Sequence, residues 1–428
     1  SNFRAGVNAG NSITAGGNFN TVVGDEAGTA ITTGDYNVAV GYIAGDAINT
    51  GERNVVAGHS AGGALTSGGS NTAIGDRTLL ADTQGSDSVA IGRNALFAQN
   101  FTSATSSYNI AIGRDAGASI STGVENTLIG GLAGDALTDA DFNVAVGSGA
   151  LSADTQGSRS VAIGRNVLHS QNFTSATSVN NTAVGYEAGR STTTGIDNCL
   201  FGSNAGYALT DADDNVALGR SALATDTQGS KSTAVGNGAL NAQNFTSATD
   251  SHNVAVGYNA GNDITTGIQN TIVGSLAADA LTDADYNVAI GQNALAVDTK
   301  GNKSIAIGNG ALSAQNFTSS TDTFNVAIGY DAGDQITTGI RNTIVGSLAG
   351  DAMTTAGDNA AFGYRALTAA TGGDNVAVGA DAGLVIDSGT NNTAVGKESL
   401  KSVTSGDYNI GIGTEGGINI TTGEGNIC

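Results

Sequence analysis

Proline and tryptophan are absent from the 428-residue sequence, methionine occurs once, and aromatic residues make up only 5%. A core of the kind that enzymes build from bulky side chains is therefore not expected. The missing proline has a second reading: a strand lying between two neighbours must donate hydrogen bonds to both, and proline cannot. Charge is sparse, at 13%, and unbalanced, since 16 Lys and Arg against 38 Asp and Glu leave a net charge of −22. That balance disfavours nucleic acid and anionic membrane as partners. No stretch of 18 apolar residues occurs, so no helical membrane insertion is expected. The two cysteines, Cys199 and Cys428, cannot build a disulfide framework. Disorder is not expected either, because 39% of the residues are hydrophobic and they recur at regular intervals.

Glycine is what the chain has in abundance, with 65 residues. Many of them belong to one unit, Asn-x-Ala-x-Gly with Val or Ile at most x positions, followed by x-x-Ala-Gly or x-x-Ala-Leu. The unit occurs 24 times, from Gly6 to Gly413; of the 23 spacings, 17 are 17 residues and four are 21. The longer spacings recur every fourth unit and define a 72-residue super-repeat, most regular over about 76–345. Its landmark, Gln-Asn-Phe-Thr-Ser-Ala-Thr, begins at Gln99, Gln171 and Gln243, with a Ser-for-Ala version at Gln315. A fixed short period of this kind is the signature of a solenoid. The expected fold is all-β: a parallel β-solenoid of about 24 coils, 17 residues per coil with four 21-residue coils. No linker interrupts it, so a single continuous domain over 1–428 is expected, about 115 Å long at the ~4.8 Å spacing of paired strands.

Within a coil, Asn37-Val38-Ala39-Val40-Gly41 reads as a short alternating strand ending in a glycine turn. A second short strand is expected around the apolar residue seven places after each glycine, as at Ile31, Ile48, Leu65 and Ile120. Stacked Asn side chains before the strands, and Thr residues such as Thr66, Thr83, Thr138 and Thr155, are expected to form ladders from coil to coil. The strand is apolar on both faces. A strand of that kind is normally buried on both, so the Val and Ile pair is expected to line the coil's own core and the Ala slot to meet other chains. Ala162, Ala234 and the larger residues Leu128, Leu200, Ile272 and Ile344 are then the oligomer face.

Ser88-Val89-Ala90-Ile91-Gly92 and Ser160-Val161-Ala162-Ile163-Gly164 resemble the head repeat of trimeric autotransporter adhesins. Asn181-Thr182-Ala183-Val184-Gly185-Tyr186-Glu187-Ala188-Gly189 is also similar to repeats of bacteriophage tail-fibre proteins. The resemblance runs along essentially the whole chain. It implies a left-handed β-roll, assembly as a trimer, and a place outside the cell, at a cell surface or on a virion.

Chemistry-bearing residues are few. His59, His169 and His252 do not recur with the repeat and read as solvated turn residues. The pairs Asp139 and Asp141, Asp211 and Asp213, and Asp283 and Asp285 lie two apart on turns and could hold Ca²⁺ together with backbone oxygens, or simply keep the turn solvated. No other cofactor is expected. The four-residue insertions carry Asn100-Phe101-Thr102, Asn172-Phe173-Thr174, Asn244-Phe245-Thr246 and Asn316-Phe317-Thr318, which are glycosylation sequons. They are expected to project as ridges about 19 Å apart along the solenoid. Either they bear glycans, or their Phe contacts a surface ligand such as a host or cell-surface glycan, or the Phe folds back on the coil.

The expected function is non-enzymatic: an extracellular or virion structural fibre segment, a tail-fibre shaft or adhesin head, giving reach and multivalent surface attachment. The alternative is a self-assembling extracellular filament in which protomers stack end to end. Ser1–Gly6 and Asn426-Ile427-Cys428 both fall within the strand motif, with Arg4 in the usual Ala slot, so continuation of the chain or stacking of protomers is expected at its limits.

Overall fold

A computed structural model describes all residues, Ser1–Cys428, as strands and turns without a helix. The chain falls into two compact units, Ser1–Asp214 and Asn215–Cys428. Each is a parallel β-solenoid with twelve three-residue strands, one per coil, so that the expected count of about 24 coils holds. Val38–Val40 shows the pairing: it is flanked in parallel by Thr21–Val23 and Val55–Ala57, with Ala39 opposite Val22 and Val56. The in-register pairing repeats from coil to coil within each unit, which is why the same residue types form columns.

The motif glycine sets how closely coils approach. Gly130 has φ +139°, a conformation that L side chains rarely adopt, and a Cβ on it would lie 2.5 Å from the carbonyl oxygen of Gly147 in the next coil. After the glycine the chain does not form the expected second strand. It runs through turn residues that alternate into the left-handed region, such as Ile43 at φ 48° and Gly45 at φ 55°. This alternation points successive amides in opposite directions. Ile43 donates back to the Asp25 carbonyl at 3.0 Å, and Gly45 donates forward to the Ala61 carbonyl at 2.8 Å. Turns thus stack on their neighbours as the strands do.

The core is built from four positions per coil, one of them a small residue three places after the glycine, such as the fully buried Ala44 and Ala95. The middle strand residue is another: Ala39, Ala90 and Ala145 are fully buried. The others lie four and seven places after the glycine and divide a fixed space. Where the fourth place is glycine, the seventh is a bulky apolar residue, as in Gly45 with Ile48 or Gly134 with Leu137, the exception being Thr192 after Gly189. A Cβ at Gly45 would come within 2.7 Å of Ile48 Cδ1. Where the fourth place is Leu, the seventh is usually polar, as in Leu79 with Asp82 or Leu96 with Gln99. Those leucines sit at positive φ, 48° for Leu79 and 49° for Leu96. That geometry costs about 1–2 kcal/mol, less than the ~1.5–3 kcal/mol gained by burying the side chain.

The asparagine column closes each coil. Asn37 is fully buried; its backbone N–H donates to Asn20 Oδ1 at 2.8 Å and its Nδ2 donates to the Gly51 carbonyl at 2.8 Å. The same pair of bonds recurs at Asn54 and Asn143. The threonine column also forms, with Thr66 Oγ1 donating to the Thr83 carbonyl at 2.9 Å and Thr138 Oγ1 to that of Thr155 at 3.0 Å.

Gly130→Ala and Gly131→Ala separate glycine's role in stacking from its mere abundance. A Cβ at Gly131 meets nothing within 4 Å. Gly130→Ala is expected to cost about 3 kcal/mol or more through strain and overlap, and Gly131→Ala close to nothing, read as the shift of the denaturation midpoint.

Candidate functional site

Strand alternation places the middle residue inward and its two neighbours outward. The inward residue is the small one, and this corrects the expected oligomer face. Ala162, Ala234, Leu128, Leu200, Ile272 and Ile344 are fully buried within their own coils. The physical reason is space. Leucine or isoleucine at the fourth or seventh place already fills most of the coil, leaving room for Ala. Leu128 fits only because its neighbours at the fourth place are glycines: a Cβ at Gly117 or Gly134 would come within 2.8 Å of its side chain.

The outward columns consist mostly of the Val, Ile and Thr residues on either side, and it is they that are presented. Val40, Ile74, Ile163 and Val256 are between 36% and 40% exposed. Two such side chains per coil over twelve coils amount to on the order of 1,000 Å² in each unit, above the ~300–600 Å² of the largest patch on a typical monomer. Exposed aromatics border the columns: Tyr36, Tyr108, Phe142 and Tyr286 five places before the motif glycine, and Tyr42, Tyr186, Tyr258 and Tyr330 just after it. Arg159 lies over the Phe142 ring and Arg165 over that of Tyr186, at 6.0 and 5.8 Å from the centroids.

The insertion loops are held by a buried polar network that repeats four times. In the best-separated case Asp298 Oδ1 accepts the backbone N–H groups of Gly301 and Phe317 at 3.1 and 3.0 Å, while Oδ2 accepts Gln315 Nε2 at 2.6 Å. Gln315 Nε2 also donates to Ser304 Oγ at 2.9 Å, and its Oε1 accepts Asn325 Nδ2 at 2.8 Å. Asp82 with Gln99, Asp154 with Gln171 and Asp226 with Gln243 repeat the arrangement. All four Asp and all four Gln are fully buried. The loop residues then pair in parallel with the preceding coil, as Thr321–Asp322 does with Gly301–Asn302.

This network decides where the Phe residues go. Phe101 and Phe245 are 6% exposed and Phe173 and Phe317 8%, so they fold back on the coil and cannot contact a surface ligand. The sequon residues lie beside them at the surface. Asn100, Asn172, Asn244 and Asn316 each accept from a Thr hydroxyl of the preceding coil, at 3.1, 3.1, 3.2 and 3.3 Å. Sequence reasoning missed the Asp–Gln pair. Its signal was present: Asp82-Thr83-Gln84-Gly85 and its counterparts at Asp154, Asp226 and Asp298 always precede the Gln-Asn-Phe landmark by one coil.

The acidic pairs do not converge. Asp139, Asp211 and Asp283 each accept the hydroxyl of the preceding Thr at 3.0 Å, whereas Asp141, Asp213 and Asp285 each accept a backbone N–H of the preceding coil at 2.8 Å. No three His, Cys, Asp or Glu side chains gather as a metal ion would require. Burial raises the carboxyl pKa of Asp213 and Asp285. For Asp283 burial also pushes upward, but the Thr282 hydroxyl and Lys300 hold the carboxyl below its usual range. The histidines are scattered: His59 Nδ1 meets Asp76 Oδ1 at 2.7 Å while its Nε2 meets Ser60 Oγ at 3.3 Å, and His169 Nδ1 meets Ser152 Oγ at 2.8 Å. No protein-family model matches the chain, and no curated protein matches it.

Two predictions follow from these carboxylates. Asp298→Ala removes the acceptor of two backbone amides and of Gln315, and is expected to cost about 2–5 kcal/mol; Asp298→Asn, which keeps one oxygen, should cost less, with thermal denaturation giving the order. The second concerns pH. Burial, reinforced by a neighbouring acid (Glu26, Asp115 and Asp263 respectively), raises the carboxyl pKa of Asp46, Asp135 and Asp279. Raised folded-state values mean that the folded protein binds more protons than the unfolded chain across the carboxylate range. These residues therefore add stability as pH falls through their folded values and lose it as pH rises. Asp46→Asn/Asp135→Asn/Asp279→Asn is expected to melt higher than the unmutated chain at pH 7, with the difference shrinking towards pH 4; a lower melting temperature at pH 7 would contradict the assignment.

Proposed function

We propose that the chain is a non-enzymatic structural segment of an extracellular or virion fibre, a shaft or adhesin head, in which copies pack along their outward strand columns. One observation carries this reading: each unit leaves two columns of partly exposed, mostly Val, Ile and Thr side chains along its strands, with residues such as Ala57, Phe201 and Leu218 at a few coils. The ~1,000 Å² they offer per unit compares with the ~800 Å² that each partner buries in a standard stable interface. Close packing would leave the acidic turns as the wet surface, and the net charge of −22 suits a solubilised fibre. The resemblance to adhesin heads and tail fibres supports three copies around a common axis. In such an assembly any weak surface contact is presented several times over, and attachment gains by multivalency.

Sedimentation of the full chain tests the reading. The expected species is a trimer of the 41.9 kDa chain. Val144→Glu with Ile163→Glu, both on the outward columns, should yield folded monomers, whereas a stable monomer of the unmutated chain would sink the proposal.

A further inference from the structure

Beside the outward columns of the first unit lies a groove of about 180 Å³, lined by Asp141, Phe142, Ser158, Arg159, Thr177 and Ser178. The insertion loop forms one wall, through the pairing of Gly157–Ser158 with Thr177–Ser178. The other wall is the preceding turn, with the Phe142 ring 44% exposed. Arg159 crosses between the walls, over the Phe142 ring and donating from one terminal nitrogen to Ser178 Oγ at 2.9 Å. No carboxylate lies within ion-pair distance of this guanidinium, although the chain carries more than twice as many acids as bases. Asp141 Oδ1 is occupied by the Val124 N–H at 2.8 Å, and Ser158 Oγ accepts the Asp141 N–H at 3.0 Å.

We infer that this groove is a subsite for a carboxylate-bearing sugar residue, a uronic acid being the simplest member. The part of the Phe142 ring that Arg159 leaves exposed offers apolar contact to the C–H groups of a sugar ring, a guanidinium with free donors takes a carboxylate bidentately, and the second Asp141 oxygen and the loop hydroxyls suit ring hydroxyls. The volume lies below the ~300–1,000 Å³ of a drug-sized site and fits a single ring. The corresponding places in the other loops lack the combination. In the first loop Phe142 and Arg159 are replaced by Ser70 and Asp87. In the loop after Gln243, Asp214 replaces Phe142 and Lys231 is paired with Asp250; in the loop after Gln315, Tyr286 and Lys303 keep the aromatic and the cation, but Asp322 stands where Ser178 does and neutralises Lys303 at 2.6 Å. That groove therefore offers no free cation to an anionic ligand.

The inference supplies a ligand class for the surface-attachment part of the proposed function and rests on that reading. Titration of the full chain with glucuronate and with glucose, followed by ligand-detected NMR, tests it. One weak glucuronate site per chain is expected, with glucose bound at least tenfold less tightly. Arg159→Gln and Phe142→Ala should each weaken glucuronate at least tenfold. Asp322→Ser, which removes the carboxylate paired with Lys303, should add a second site. Absence of glucuronate binding, equal binding of glucose, or binding untouched by Arg159→Gln would overturn the inference. Sedimentation of the same samples separates the two claims: a trimer that ignores glucuronate sinks the groove alone, and a monomer that binds it sinks the fibre reading alone.

Discussion

Each coil must hydrogen-bond to the coils on either side of it at the spacing of paired strands, all the way round and not only along its three-residue strand. That constraint selects glycine where backbones approach most closely, as at Gly130 against Gly147. It also selects the alternation of turn conformations that sends the Ile43 amide one way and the Gly45 amide the other. Asparagine follows from the same requirement, because its side chain can bond both its neighbour in the column and the turn that closes its own coil. Once the backbone is committed in this way, the interior is narrow. In most coils it accepts one bulky residue at the fourth or seventh place, and an alanine opposite.

This narrowness explains which parts of the molecule were legible in the sequence. Period, the place of the Val-Ala-Val strand, the Asn and Thr columns and the absence of helix are consequences of spacing, and spacing is visible in one dimension; the second strand expected in each coil is instead a turn, because backbone conformation is not. The orientation of the strand is not. Val-Ala-Val is apolar on both sides, so hydrophobicity alone favours placing the larger pair inside, and only the volume already taken by Leu79 or Ile48 shows that they cannot fit. Leu128, Leu200, Ile272 and Ile344 point the same way in retrospect. They stand where their own coil and the preceding one carry small residues at the fourth place, as Gly134 and Gly117 do beside Leu128, so they are fillers of a local hole and not markers of an interface.

The insertion loops show how a polar group can decide a surface. Extra chain placed on a solenoid is expected to project, yet a buried aspartate draws two backbone amides and a glutamine inward and carries the Phe side chains with them. What the loop presents is then its hydroxyl-bearing strand, and between that strand and the preceding turn lies the groove with Phe142 and Arg159. Individual residues such as Arg159 break the repeat without altering its backbone. Their meaning lies in what neighbouring coils bring beside them, which linear sequence separates by 17 to 21 residues.

The account stands or falls on whether the turns are part of the coil-to-coil hydrogen-bonding or merely link the strands. Residue-resolved amide hydrogen exchange on the native protein measures this directly. The account predicts that turn amides such as Ile43 and Gly45 exchange as slowly as the strand-flanking amides of Val38 and Gly41, coil after coil within each unit. Protection confined to the strands, with turn amides exchanging at rates near those of an unstructured peptide, would contradict it.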